Sequence, residues 1–85
     1  MTLGQALIEA ARARYGLEDA HINDVAARLV LASSTARAWS TGRYDPPAHA
    51  AAKIAAVHRL TVHLTPAGYS PATAASAAPT KETAP

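Results

Sequence analysis

The chain has no cysteine and no phenylalanine, and only one tryptophan and one methionine. Without cysteine there are no disulfides and no thiolate metal sites, so a unit this small must be held by helix packing, with or without a second copy. Long apolar runs are missing too. Arg, Lys, His or Asp interrupts the longest apolar stretches well short of the roughly 18 residues that a membrane span requires. The first residues lack the basic-then-apolar pattern of a secretion signal. The expectation is a soluble, cytoplasmic protein with no membrane partner. β-branched residues are scattered rather than run together, which leaves little material for a sheet.

What is present suits helices. Alanine makes up about a quarter of the 85 residues, and it is the strongest intrinsic helix former. The fold class expected is all-α: a compact domain of four to five helices over residues 1–69, followed by a disordered tail, 70–85, rich in Ala, Pro, Ser and Thr. Formal charge is +2 at pH 7 and the isoelectric point is near 9.4. That mild basic bias tolerates a phosphate backbone as partner without announcing one.

Along the chain, Thr2 caps a first helix from about Leu3 to Tyr15, with Gly16 as its stop. Arg12 and Arg14 complement the dipole at its end. Leu17–His21 is a connection. Asn23, or the residue before it, caps a second helix, whose Val25, Ala26, Leu29 and Val30 form an apolar face that Leu31 continues. Ser33 and Ser34 are cap signals for a third helix running to Ser40, with Ala36 and Trp39 inward at i, i+3. Arg43–Pro47 is a loop. Asp45 caps and a proline starts a fourth helix, about Pro47–Leu60, with Ala50, Ile54, Val57 and Thr61 on its inner side. Val62 and Leu64 alternate as a short strand would, but Thr65 as cap and Pro66 at N1 favour a last helical turn.

Two helices crossing through a tight turn can share only a few inward positions. Counting Ile22 as the first place of a window ending at Gly42, the fourth, eighth, tenth, fifteenth and eighteenth places are Val25, Leu29, Leu31, Ala36 and Trp39, all apolar. The fifth, where the helices come closest and a small residue is needed, is Ala26. The pattern is that of a helix-turn-helix.

With a leading helix, then INDVAARLVLASSTARAW, then STGRYDPP and a further apolar helix, the stretch from about Leu3 to Leu64 resembles the Cro/CI-like (XRE-type) phage and bacterial repressors. DVAARLVLASSTARAW also looks like the motif of LacI-type regulators, but those begin their motif at the N-terminus. There are departures. Val30 stands where the turn usually has glycine, so the turn is expected to be shifted or opened. Ala32 replaces a cap serine, for which Ser33 can compensate, and Ser40 replaces a frequent glutamate.

The resemblance implies a lambda-repressor-like fold whose third helix reads the major groove of double-stranded DNA, an operator. Ser33, Ser34, Arg37, Ala38 and Thr41 would face it, with Thr35 beside them. Arg37 can bond guanine O6 and N7 together, or serve a phosphate. Ser33 and Ser34 offer hydroxyls and backbone N–H groups, or merely cap. Asn23 and Arg43 are phosphate candidates on either side. Tyr44 either touches the sugar-phosphate backbone or packs against Trp39. Trp39 itself is core. A homodimer is compatible with this reading, its surface drawn from the fourth helix and Val62–Tyr69.

Two other functions stay open: a helix-turn-helix core that binds protein, as an antitoxin-like or host-takeover factor does, and an excisionase-like architectural protein. The latter needs a β wing, which the Pro-Pro start of an Ala-rich helix argues against. His49 and His58 are nine apart and His58 and His63 five apart, neither being the i, i+4 spacing that brings two imidazoles to one ion. With His21 they read as surface histidines. No glycine-framed nucleophile, phosphate loop or paired carboxylate is present, so no enzyme, cofactor, metal or small-molecule substrate is expected.

Overall fold

The structure is a computed structural model that describes residues 1–72; the greater part of the expected tail, residues 73–85, lies outside the described residues. Four helices, α1 (Leu3–Tyr15), α2 (Ile22–Leu29), α3 (Ser33–Ser40) and α4 (Ala48–His58), are followed by strands β1 (Thr61–Thr65) and β2 (Gly68–Ala72). α1 touches all five other elements. The core is wholly apolar: Leu7, Ile8, Ala10, Ala11, Val25, Ala26, Leu29, Ala36, Trp39, Ala51 and Leu60 form one cluster, with Leu3, Tyr15, Leu17, Ile22, Leu31 and Val62 packed around it.

The fold is therefore mixed α/β, not all-α. β1 and β2 form an antiparallel hairpin in the register Thr61↔Ala72, Val62↔Pro71, His63↔Ser70, Leu64↔Tyr69, Thr65↔Gly68. The last helical turn expected from Thr65 and Pro66 does not form. Pro66 and Ala67 are instead the two-residue hairpin loop, and Gly68 at φ 115° supplies the positive dihedral that closes it. Thr65 Oγ1 accepts from the Ala67 N–H at 3.2 Å and donates to the Gly68 carbonyl at 2.7 Å. The side chain expected to cap a helix thus ties a strand turn. β2 takes in Ser70, Pro71 and Ala72, which composition alone assigns to the tail. Its outer edge is bound to the first residue of the chain: Tyr69 N–H donates to the Met1 carbonyl at 2.8 Å, and the Met1 amino group donates to the Tyr69 carbonyl at 3.2 Å.

α1 begins with a full capping box. Thr2 Oγ1 accepts from Gln5 N–H at 3.1 Å and Gln5 Oε1 accepts from Thr2 N–H at 2.9 Å, which satisfies two of the helix's orphan donors. A third, Gly4 N–H, donates to Asp45 Oδ1 at 2.9 Å. Asp45 therefore caps α1 across the fold and not α4, whose own N-cap, Pro47, makes no side-chain cap bond. α4 is rotated slightly from the expected face, of which Ala50 is half-buried as expected but Thr61 is exposed. Ala51 is buried, Ile54, Ala55 and His58 are half-buried, and Val57 is 66% exposed. In a helix this rich in alanine, spacing alone cannot choose between neighbouring inner faces.

Gly4 is where α1 and α3 nearly touch. A Cβ there would lie 2.9 Å from Trp39 Cβ and 3.2 Å from both Trp39 Cα and Asp45 Oδ1. Gly4→Ala gains helix propensity of up to about 1 kcal/mol, but overpacking against a backbone atom costs roughly 1–3 kcal/mol. The expected net loss is about 1–2 kcal/mol, read as a fall of roughly 5–10 °C in the thermal midpoint. An unchanged or higher midpoint would show that α3 can withdraw from α1 without cost.

Candidate nucleic-acid interface

α2 starts at His21, whose Nδ1 accepts from Asn23 N–H at 3.1 Å. The cap is thus a histidine rather than Asn23 or Ile22, and Asn23 stays exposed in the first turn beside Asp24. α2 stops at Val30, in the left-handed conformation (φ 58°, ψ 47°). Val30 N–H reaches the Ala27 carbonyl at 3.2 Å and Leu31 N–H the Ala26 carbonyl at 2.9 Å, the backbone bonds of a Schellman-type stop. The turn is neither shifted nor opened. A valine adopts the glycine conformation and carries the strain.

The inward positions fall as the spacing requires. Val25 and Ala36 are fully buried, Ala26, Leu29 and Trp39 nearly so, and Leu31 is half-buried. Ala26 lets the two helices meet closely, and Trp39 holds the inner side of α3 against α1. The opposite side of α3 must then face solvent. Ser33, Ser34, Arg37 and Thr41 are exposed, and Thr35 and Ala38 are half-buried. Ser34, Arg37, Ala38 and Thr41 share one stripe at i, i+3, i+4 and i+7.

The N-terminus of α3 is open. Its N-cap, Ala32, has no side-chain bond, and Ser33 lies one position inside the helix, so it does not replace the missing cap. The first backbone bond into the helix is Ala36 N–H to the Ala32 carbonyl, 3.0 Å. The N–H groups of Ser33, Ser34 and Thr35 consequently have no intrahelical acceptor. At the other end, Ser40 Oγ donates to the Arg37 carbonyl at 2.9 Å and Thr41 Oγ1 to the Ala38 carbonyl at 3.2 Å. Thr41 thereby spends its hydroxyl proton on its own helix.

Arg37 makes no hydrogen bond or ion pair among the described residues, where the one salt bridge is Arg12–Glu9 at 3.8 Å. Arg43 and Tyr44 fold back under α3, their N–H groups donating to the Ala38 carbonyl at 2.9 and 3.3 Å. The Arg43 guanidinium stands 5.9 Å from the Tyr44 ring centre, and Tyr44 is 62% exposed, so it does not fill the core beside Trp39. The structure thus brings Ser33, Ser34, Thr35, Arg37, Ala38, Thr41, Arg43 and Tyr44 to α3 and the turn behind it. Asn23 stands apart on α2.

Several positioning residues escape a reading of spacing. Arg12 is half-buried and donates from one Nη to the carbonyls of Leu17 (2.8 Å) and Ala20 (2.7 Å), bracing the connection into α2. Tyr15 Oη and His58 Nδ1 are bonded at 2.8 Å, with Arg28 4.6 Å above the tyrosine ring. His58, expected at the surface, is therefore half-buried against Tyr15, and the exposed Arg28 covers the same ring. Among the described residues no group of three or more His, Cys, Asp or Glu could hold a metal ion.

No family model, curated protein or solved structure matches this chain.

The strain at Val30 can be tested by relieving it. Left-handed geometry costs an L-residue roughly 1–2 kcal/mol, and Val30, 86% exposed, returns little packing. Val30→Gly should raise stability by about 1 kcal/mol after the entropy glycine loses on folding. A higher midpoint in chemical denaturation is the expected result; a lower one would show that the valine methyls support the turn.

Proposed function

We propose that this chain is a sequence-specific binder of double-stranded DNA, a Cro-like or immunity-repressor-like transcriptional regulator acting in the cytoplasm at the bacterial nucleoid. α3 is the reading helix. The observation that carries this is the two-sidedness of α3: Ala36 and Trp39 are locked into the core while Ser33, Ser34 and Arg37 project outward, with Arg37 and the first backbone N–H groups of the helix unpartnered among the described residues. A rigid helix presenting a free guanidinium and hydroxyls suits base edges in the major groove. Open N–H groups at its start suit a phosphate. Arg43, at the far end of α3, is the candidate for a backbone phosphate.

The hairpin bears on the alternatives. Residues 61–72 include no Lys or Arg, so the hairpin lacks the cations with which a wing grips a phosphate backbone. That disfavours the excisionase-like reading. The exposed Leu64 on the same hairpin favours a protein contact there, which is compatible with DNA on α3.

Binding to the chain's own upstream DNA and to random duplex across a salt series tests the proposal. Specific binding should exceed random by roughly 10³ or more. Arg37→Ala should cost about 1–3 kcal/mol on the specific site and relax preference at one base pair. Arg43→Ala should weaken both duplexes alike and lower the salt slope by about 1. Equal, feeble binding to both duplexes would overturn the reading.

A further inference from the structure

The two edges of the hairpin differ. On β2, Tyr69 exchanges both of its backbone hydrogen bonds with Met1, and Pro71, the next residue of that parity, has no N–H to offer. That edge is closed. In an antiparallel pair, opposite residues alternate between exchanging both bonds and exchanging neither. Since the polar groups of Tyr69 point away from β1, its partner Leu64 is in a non-bonded pair, and so is Val62 opposite Pro71. The backbone N–H and C=O groups of Val62 and Leu64 therefore face the outer edge of β1, and no backbone bond to either group occurs there among the described residues.

We propose that this edge joins two copies of the chain, β1 to β1, antiparallel about a two-fold axis through His63. Dead ends on both sides select that register. An axis at Val62 would set Leu64 against Leu60, whose N–H is already held by the Ala55 carbonyl at 2.8 Å. An axis at Leu64 would set Val62 against Pro66, which has no N–H. With the axis at His63, Val62 and Leu64 of one copy exchange both bonds with Leu64 and Val62 of the other, and every free donor of the edge is satisfied. A longer foreign strand would meet the same two stops, whereas a second copy matches the two-residue span.

Side chains agree with this register. Val62 packs against the core and Leu64 lies on the same face of the sheet, 73% exposed. The pairing sets each Leu64 beside the other copy's Val62, continuing the apolar layer across the axis. β1 has none of the Lys, Glu or Pro residues that usually protect an open edge. From Leu60 to Ala72 the chain has no Lys, Arg, Asp or Glu, so two copies of a basic protein meet here without opposing charges. The pairing is argued from the strand edge and its side chains and does not rest on DNA binding.

The test uses the full chain without DNA. Sedimentation equilibrium over a concentration series should show a mass approaching twice the 8.8 kDa of one chain, and Leu64→Lys should return it to one chain at the same concentrations with an unchanged circular-dichroism spectrum. The axis places residue 63 opposite itself, with Cβ atoms about 4.5–5.5 Å apart. His63→Cys should therefore cross-link into a disulfide dimer on mild oxidation, and Ser70→Cys, one strand further out, should not. A single-chain mass at every concentration, a dimer that survives Leu64→Lys, or a dimeric His63→Cys sample that fails to cross-link would each overturn the proposal. Loss of DNA binding in Arg37→Ala would leave these masses unchanged, so the two readings fail separately.

Discussion

The approach of α1 to α3 at Gly4 is the constraint on which the arrangement depends. With a Cβ-free residue in its second position, α1 accepts the Trp39 backbone and Cβ at a distance no other side chain permits. The same turn of α1 takes the Asp45 carboxylate on the Gly4 N–H, where the helix dipole favours negative charge. Gln5, one residue on, closes the capping box and also donates to the Ser40 carbonyl at 3.4 Å. The first turn of α1 thus holds the last turn of α3 and the loop beyond it. Whatever α3 presents outward is aimed by these contacts.

Small residues make that geometry necessary. Five of the eleven clustered core residues are alanines, each contributing little apolar area, so stability has to come from backbones lying close together. The turn between α2 and α3 bears the consequence. Left-handed Val30 is kept in place because Leu31 is half-buried and bonded to Ala26, and because Ala26 itself is at the helix crossing. Strain survives where the surroundings over-determine it. Arg59, also left-handed at φ 56°, ends α4 in the same way and delivers Leu60 to the core just before β1.

The helix-turn-helix positions were legible because a crossing of two helices admits few inward places, and each of those places states its requirement in one residue type. Val25, Ala26, Leu29, Ala36 and Trp39 could be assigned without a structure for that reason. The hairpin was not legible. Its loop, Pro66-Ala67, lacks the Asn-Gly or Asp-Gly signature of a two-residue turn, and the bonds that fix β2 go to Met1, 68 residues away in the chain. Thr65-Pro66 is an acceptable helix start on local grounds; tertiary pairing decides against it. Asp45 misled in the same manner, being a good local cap for α4 that a distant N–H group claims. His21 was missed as a cap because histidine is an unusual one. On α4, alanines on several faces left the rotation of the helix unspecified.

Where a fold leaves backbone polar groups unpaired bears on where it can meet other molecules. Among the described residues no buried side-chain nitrogen or oxygen lacks a partner. The open backbone groups at α3 and β1 are at the surface, where water satisfies them at little cost and a partner can replace that water. One set, at the start of α3, consists of donors alone beside hydroxyls and a guanidinium that is unpaired among the described residues, the chemistry that suits the anionic partner proposed above. The other, on β1, alternates donors and acceptors along an uncharged strand, which matches another strand. The two surfaces differ in chemistry because a helix terminus exposes one kind of peptide group and a sheet edge exposes both. A chain of this size can hold two such surfaces because α1 supports both: it touches α3 and the hairpin alike, and neither surface is needed to close the core.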